Sequence, residues 1–400
     1  MTTKHWVVYT CCWLAGLACG SIASVVPTYL PEIATVLGGQ GAAVDVADLG
    51  STVQSLFLFG WVCGGIALGV VADLRGRAPV LGAAVLGAAV CTLITPYLDS
   101  IAAFGVARYL AGVCVGASMV VSTTLGVEIL PPKRRPVMMG ILANSYAVGI
   151  VTSGILQAAD IPYHTTVAGF LLFGLVGAVF FTPWLRVARA DAADATQSTV
   201  TAQLGRSRRE ILLGSTLFGC MLIALWAAFS WLPTWVSELF PGTDQGADVR
   251  GAVMMALGGG GIVGSLLVGP LVAALGRLRG ITVCYAGAII GSIWLYGAHP
   301  SSATVVLAIV FGMSVFFGMS QALMSFFIPE LFPQGIRATG VGLCFNIGRS
   351  VTAYAVLQVG LIAEMFGGFQ QALFITSAIL IVGALTIPLA MRSQPAQHST

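Results

Sequence analysis

Gly60-Trp-Val-Cys-Gly64-Gly-Ile-Ala-Leu-Gly69-Val-Val-Ala-Asp73-Leu-Arg75-Gly76-Arg77 runs from an apolar stretch into a basic turn, and its glycine frame returns later in the chain. Gly60, Gly64, Gly69, Gly76 and Arg77 correspond to Gly260, Gly264, Gly269, Gly276 and Arg277 at one constant offset. Upstream of this pair, Pro27-Thr-Tyr-Leu-Pro-Glu32 matches Pro233-Thr-Trp-Val-Ser-Glu238. Downstream, Glu128-Ile-Leu-Pro131, Arg135, Gly140 and Asn144 match Glu330-Leu-Phe-Pro333, Arg337, Gly342 and Asn346, again at a single offset. Asn144 and Asn346 are the only asparagines in the chain. Agreement at so many glycine and polar positions implies a duplicated unit. Transporters are commonly built this way, with the substrate held between the repeats near the bilayer midplane.

Each unit is overwhelmingly apolar. Of 400 residues, 57% are hydrophobic and 8% charged, against roughly 25% charged in a soluble domain. The deficit fits a surface that faces hydrocarbon, where a charge costs several kcal/mol. Fifty glycines suit close helix packing in a membrane. A spanning helix needs about 20 mostly apolar residues, and twelve such stretches are expected: 6–27, 50–72, 79–98, 101–123, 137–159, 166–185, 211–235, 251–275, 281–298, 302–327, 338–362 and 370–391. The first begins behind Lys4 and is long enough to span rather than to be a cleavable leader.

Twelve alternating spans sort the loop charges. Arg250 is then the single loop cation on one face, and every other loop Lys and Arg, from Lys4 to Arg392, lies on the opposite, basic face. The acidic face carries Glu32, Asp45, Asp48, Asp99, Asp160, Glu238, Asp244 and Asp248. The positive-inside rule puts the basic face, with both termini, in the cytoplasm, and the expected location is a bacterial inner membrane. The stretch 188–209 is Ala-, Asp-, Ser- and Thr-rich and ends in Arg206-Ser-Arg-Arg209. It is read as a linker between six-helix bundles at 1–187 and 210–400.

Three motifs carry a family resemblance. Gly69-Val-Val-Ala-Asp73-Leu-Arg75-Gly76-Arg77 resembles the loop between helices 2 and 3 of the major facilitator superfamily, and Arg108-Tyr-Leu-Ala-Gly112-Val-Cys-Val-Gly116 resembles its helix 4 motif. Glu330-Leu-Phe-Pro333-Gln-Gly-Ile-Arg337-Ala-Thr-Gly340 is similar to the helix 10–11 junction of the organic-acid, sugar and nicotinate-type branches. The resemblance covers essentially the whole chain. It implies an all-α membrane protein with two pseudo-symmetric six-helix bundles. It also implies that Asp73 and Arg77 help to hold the cytoplasmic mouth shut, although Leu74 and Ala78 stand where a basic residue is common. Glu128 with Arg135, and Glu330 with Arg337, flank prolines that stop a helix. They are expected to form a network that makes and breaks as the bundles rock. The alternative for Asp73 and Arg77 is that they merely mark the end of a helix, and for Glu128, Arg135, Glu330 and Arg337 it is plain surface ion pairing.

Only two spans contain a charge: Arg108 in the fourth and Arg349 in the eleventh. Arg349 lies about 16 Å into its helix, near the middle of a ~30 Å core. A cation there must face the bundle interior or a wet cavity and needs a partner. No span holds an Asp or Glu at that depth. An anionic substrate is the economical partner, since a guanidinium grips a carboxylate in two-point fashion. The alternative is bonding to backbone carbonyls or to Gln and Tyr side chains. Arg108 shares a helical face with Gly112 and Gly116. In sugar and aromatic-acid symporters of the superfamily the matching arginine faces a helix 1 aspartate tied to proton coupling. Helix 1 here offers Ser21, Ser24 and cysteines but no acid, so Arg108 is left to anion binding or to structure. Asn346 and Asn144 are further cavity candidates, and Gln321, Tyr146, Tyr354 and Trp226 are weaker ones. Helix–helix hydrogen bonding and packing are the competing roles.

The residues exclude several functions. Nine cysteines all fall in apolar runs without a Cys-x-x-Cys pair, which suits small buried hydrophobes rather than metal or redox work. His5, His164, His299 and His398 lie near ends or loops, and no Gly-x-Ser-x-Gly appears. Neither an enzyme nor a cofactor is expected, and no basic run suits nucleic acid. The expected function is secondary transport of a small organic anion, a mono- or aromatic carboxylate, by alternating access. Protons are the expected coupling ion, the bilayer the surroundings and a monomer the working unit. The competing function is a carrier or efflux pump for neutral or cationic compounds, against which the lack of a mid-membrane carboxylate counts for cations.

Overall fold

The computed structural model describes residues 2–38, 45–131, 135–179, 205–240, 245–298, 302–332 and 336–391. Within these, the side chains at 73, 74, 127, 135–137, 176–179, 245–248, 326, 337–339, 390 and 391 are not described. The side chains of Asp73, Arg135 and Arg337, and the 188–204 part of the expected linker, therefore lie outside the described residues.

The chain is helical throughout the described residues. The N-terminal bundle holds α1 (Thr3–Gly38), α2 (Val46–Arg75), α3 (Arg77–Leu93), α4 (Ile101–Ile129), α5 (Arg135–Ala158) and the pair α6 (Tyr163–Gly169) and α7 (Leu171–Val179). The C-terminal bundle holds α8 (Arg208–Leu239), α9 (Gln245–Leu275), α10 (Arg277–Gly297), α11 (Ala303–Glu330), α12 (Arg337–Phe366) and the pair α13 (Phe369–Ser377) and α14 (Ile379–Met391). Among the described residues eleven segments are long and apolar enough to cross a membrane, α13 and α14 counting as one. The sixth position is filled by the apolar segment Tyr163–Leu175, and residues 180–185 of its expected span lie outside the description.

Local chemistry sets the ends and corners. The Asp45 carboxylate accepts hydrogen bonds from the backbone N–H of Ala47 at 2.6 Å and of Asp48 at 3.0 Å, capping α2. Gly76 and Gly276 each join two helices as a single residue, at φ 101° and 74°. That region of φ favours glycine, which is why both repeats keep it there. The first span is longer than its apolar run suggested, because α1 continues through Pro27 and Pro31 to Gly38. Proline is tolerated inside a membrane helix when neighbouring helices and hydroxyls meet the freed groups.

The repeat seen in the sequence is a repeat in packing. In the N-terminal bundle Gly64 abuts the Val113 backbone, so α2 lies directly on α4. In the C-terminal bundle Gly264 abuts the Val315 backbone, laying α9 on α11 in the same way. Neither position has room for a methyl group. Such approach lets dispersion and weak Cα–H contacts replace the hydrophobic drive that lipid cannot supply.

The bundles meet through α2 with α12, α5 with α9, and α1 with α8. At the acidic face the contact is tight. The backbone N–H of Gly360 donates to the Ser51 hydroxyl at 3.1 Å, Gly50 packs on Trp231, and Gly251 sits against Gly154 and Ala158. Deeper in, the Gln54 amide donates to the Ser230 hydroxyl at 3.5 Å, and the Ser265 hydroxyl donates to the Asn144 side-chain oxygen. Beyond that level the named contacts stay within one bundle, as where the Tyr9 hydroxyl donates to the Met138 carbonyl at 2.7 Å. Gly140, on the Asn144 face of α5, and its repeat mate Gly342, on the Asn346 face of α12, have nothing within 4 Å of a Cβ position. Among the described residues the bundles are closed at the acidic face and parted toward the basic face.

Candidate functional site

The cleft between the bundles narrows onto Arg349. Its guanidinium carbon stands 5.7 Å from the ring centroid of Trp61 on α2, 5.7 Å from Phe218 on α8 and 5.9 Å from Phe345 on α12. Trp61 comes from one bundle and the two phenylalanines from the other. Phe345 and Arg349 are four apart and stack on one face of α12. The walls continue through Tyr146, whose ring lies 5.8 Å from Trp61, and through Trp226, also 5.8 Å from Trp61 and perpendicular to it. Phe229 lies 4.9 Å from Trp226. Among the described residues no hydrogen-bond acceptor or carboxylate engages Arg349. The Tyr146 hydroxyl is buried without a hydrogen-bond partner and lies within electrostatic range of both Arg108 and Arg349. An unpaired guanidinium and an unpaired hydroxyl within a ring of aromatic faces suit a flat, negatively charged ligand.

Arg108 is built differently. It is 0% exposed. It donates to the Ile22 carbonyl at 3.1 Å and to the Gln54 side-chain oxygen at 3.2 Å, and lies 4.3 Å over the Phe57 ring. Gln54 passes the connection to Ser230 across the interface. Arg108 thus ties α4 to α1 and α2 and adds positive charge behind the cleft wall, with its Nε buried and unbonded.

The other predicted positions separate. Asn144 joins α5 to α9 through Ser265. Asn346 turns its amide back to the Gly342 carbonyl of its own helix at 2.9 Å, on the face that leads to Arg349. The Gln321 amide nitrogen is buried without a partner on α11. Tyr354 is 61% exposed on the outer surface, five residues past Arg349 and on the far side of α12. The structure does not bring it to the cleft.

At the basic face, Glu128 pairs with Arg77 and Glu330 pairs with Arg277. The sequence had set these carboxylates near Arg135 and Arg337, seven residues further along the chain. Arg77 and Arg277 are the arginines of the glycine corners, Gly76-Arg77 and Gly276-Arg277, and the side chains of Arg135 and Arg337 lie outside the described residues. The two ion pairs are related by the repeat, and each lies within its own bundle. Sequence reading missed Arg277 as a member, although its match to Arg77 was visible. It also missed Trp61, Phe218 and Phe345 as cleft walls. The i, i+4 spacing of Phe57 with Trp61 and of Phe345 with Arg349 was the available signal, and aromatic packing in any membrane helix looks the same.

Two six-helix bundles, packed through the same glycines and facing each other across a cleft with one charged side chain at its apex, define a membrane transporter rather than an enzyme. The Major Facilitator Superfamily model matches residues 9–356, and the chain belongs to that superfamily. It is 26% identical to the gallate transporter of Pseudomonas putida, over 89% of this chain and 86% of that one. It is 24% identical to the putative niacin/nicotinamide transporter NiaP of Bacillus subtilis (strain 168), over 84% of this chain and 85% of that one. Among solved structures, a bacterial homolog of the human lysosomal transporter Spinster, in an inward-facing and unoccupied conformation, superposes with a TM-score of 0.75 at 14% identity, over 98% of both chains.

Proposed function

We propose that this protein carries small aromatic carboxylates across a bacterial inner membrane by alternating access, with Arg349 as the electrostatic anchor. The observation that carries the reading is the Arg349 guanidinium, walled by Trp61, Phe218 and Phe345 and with no acid beside it among the described residues. The rings would sandwich a planar substrate while the guanidinium takes its carboxylate, and the Tyr146 hydroxyl would serve a second polar group. Gallate, named for one relative, is an aromatic acid, and the other is named for niacin, also an aromatic acid, together with its amide nicotinamide. Asn346, Asn144, Gln321 and Arg108 support the site from behind its walls, and Tyr354 has no part in it. The basic face is assigned to the cytoplasm from its arginines. Asp73, Arg77, Glu128, Arg135, Glu330 and Arg337, together with Arg277, would control closure there. Bundles at 1–187 and 210–400, joined by the 188–209 linker, would rock as units, with protons as the coupling ion.

Binding of nicotinate against nicotinamide, its uncharged amide, tests the anchor. Tryptophan fluorescence of the purified protein reports occupancy through Trp61 and Trp226. Nicotinate is expected to bind at least ~10-fold more tightly than the amide, and Arg349→Gln to remove that preference while the protein still inserts normally. Equal affinity in wild type, or normal nicotinate affinity in Arg349→Gln, would overturn the reading.

A further inference from the structure

We infer that the protein is built for anion exchange: a bound anion is what lets the carrier reorient quickly, so exchange of anions across the membrane outruns net transport. The inference rests on Arg349 as the anchor and adds a property of the transport cycle that the anchor alone does not require.

The argument starts from where the acids are. Among the described residues no Asp or Glu lies in the middle of a spanning helix. The nearest along α12 is Glu364, close to its acidic-face end. Rocking the bundles cannot bring any of them to Arg349 without sliding a helix by several turns. In the open form the cleft admits water from the basic face, and a half-buried guanidinium can remain hydrated. To change sides, the basic face must close over it. Arg349 then loses that water and keeps three aromatic faces, which stabilise a cation less well than full hydration does. Arg108, 0% exposed and held by Ile22 and Gln54, is a second positive charge behind the wall. The empty closed form therefore encloses two uncompensated positive charges. A monoanion reduces this to one and neutralises the guanidinium with which it is in contact. A ligand shifts a conformational equilibrium only by its differential interaction with the states, and here the anion's interaction is greatest in the dry, closed form. The empty carrier's return becomes the slow step, and an anion on the far side removes it.

Proteoliposomes holding the full chain and labelled nicotinate test this. Potassium is equal on both sides, with valinomycin and nigericin present, so neither potential nor pH gradient opposes flux. Efflux is measured into buffer alone, into buffer with nicotinate, and into buffer with nicotinamide. External nicotinate is expected to speed efflux by about tenfold or more, and nicotinamide to leave it unchanged. In Arg349→Gln the two efflux rates should converge, and a variant that does not fold leaves the wild-type comparison intact. Tight nicotinate binding with equal rates in all three buffers would overturn the exchange inference and leave the substrate reading standing. Failure of nicotinate and gallate to bind at all would sink both.

Discussion

Arg349 of α12 lies 5.7 Å from the ring centroid of Trp61 of α2, and this contact crosses from one bundle to the other at the apex of the cleft. A cation–π contact of this kind is worth about 0.5–1 kcal/mol where water reaches it and ~2 when it is dry. It therefore holds the guanidinium in place without satisfying its hydrogen-bonding capacity. That combination leaves the carboxylate-binding edge available, with an aromatic face alongside.

Trp61→Ala should separate recognition of the ring from recognition of the charge. Removing the indole takes away the stacking face and one wall of Arg349. Affinity for nicotinate is expected to fall by about tenfold, and affinity for a short aliphatic carboxylate such as butyrate by much less. Competition binding on the same preparation makes the comparison. Equal losses for both acids would mean that Trp61 only packs.

The span pattern and the duplicated unit were readable in the chain because each depends on one-dimensional spacing. Glycines at a constant offset mark helix contacts wherever the backbones touch, and Gly64 and Gly264 do touch their partners. The walls of the cleft were not readable. Trp61 and Phe218 are 157 positions apart (218 − 61), and only the docking of two bundles makes them neighbours. Glu128 illustrates the same limit. Arg77 stands 51 positions away in sequence, but the corner at Gly76 swings it over the end of α4, and the pair forms there. Arg108 was ambiguous for a physical reason. A buried guanidinium can be met by carbonyls and amides as well as by an acid, and Ile22 and Gln54 supply them.

Arg108→Ala should act on stability rather than on ligand preference. The substitution leaves the Ile22 carbonyl and the Gln54 oxygen without their donor and opens a void beside Phe57. A loss of roughly 2–5 kcal/mol is expected from unpaired groups and cavity together. Thermal unfolding in detergent measures it. Arg108→Lys keeps one donor direction and should recover part of the loss. In the fraction that stays folded, the nicotinate-to-nicotinamide preference should persist. If stability is unchanged and that preference vanishes, Arg108 belongs to the binding site.

The paired ions at the basic face predict a charge-swap result. Arg77→Glu places two carboxylates together beside Glu128 and should slow transport several-fold, and Glu128→Arg should do the same with two guanidiniums. The double variant Arg77→Glu with Glu128→Arg restores opposite charges across the same gap. Transport is expected to recover at least in part, since the coupling between contacting residues is 0.5–3 kcal/mol. The repeat makes Arg277 with Glu330 an internal replicate. Binding of nicotinate should stay within a few-fold in every variant, because neither pair reaches the cleft. Additive losses in the double variants would show that the pairs do not act through each other.

Closure at the acidic face can be fixed covalently. Ser51 and Gly360 meet through a 3.1 Å hydrogen bond between α2 and α12, on opposite bundles. The two positions must part if the acidic face is ever to open. Cysteines at both, Ser51→Cys with Gly360→Cys, are close enough for a short thiol cross-linker or a disulfide. The native cysteines offer little competition, because six of the nine are buried, Cys91 and Cys114 are half-buried, and Cys63 alone is exposed. A side chain at 360 meets the Ser51 hydroxyl and the Ala47 backbone, so the reduced double variant is expected to be somewhat destabilised but active. Oxidation should abolish transport in proteoliposomes, and reduction should restore it. Nicotinate binding to the oxidised protein in detergent should persist, because the cleft remains open from the basic face. Transport that continues after complete cross-linking would mean that these helices do not separate during the cycle. The parted and closed faces seen here would then not be two ends of an alternating-access movement.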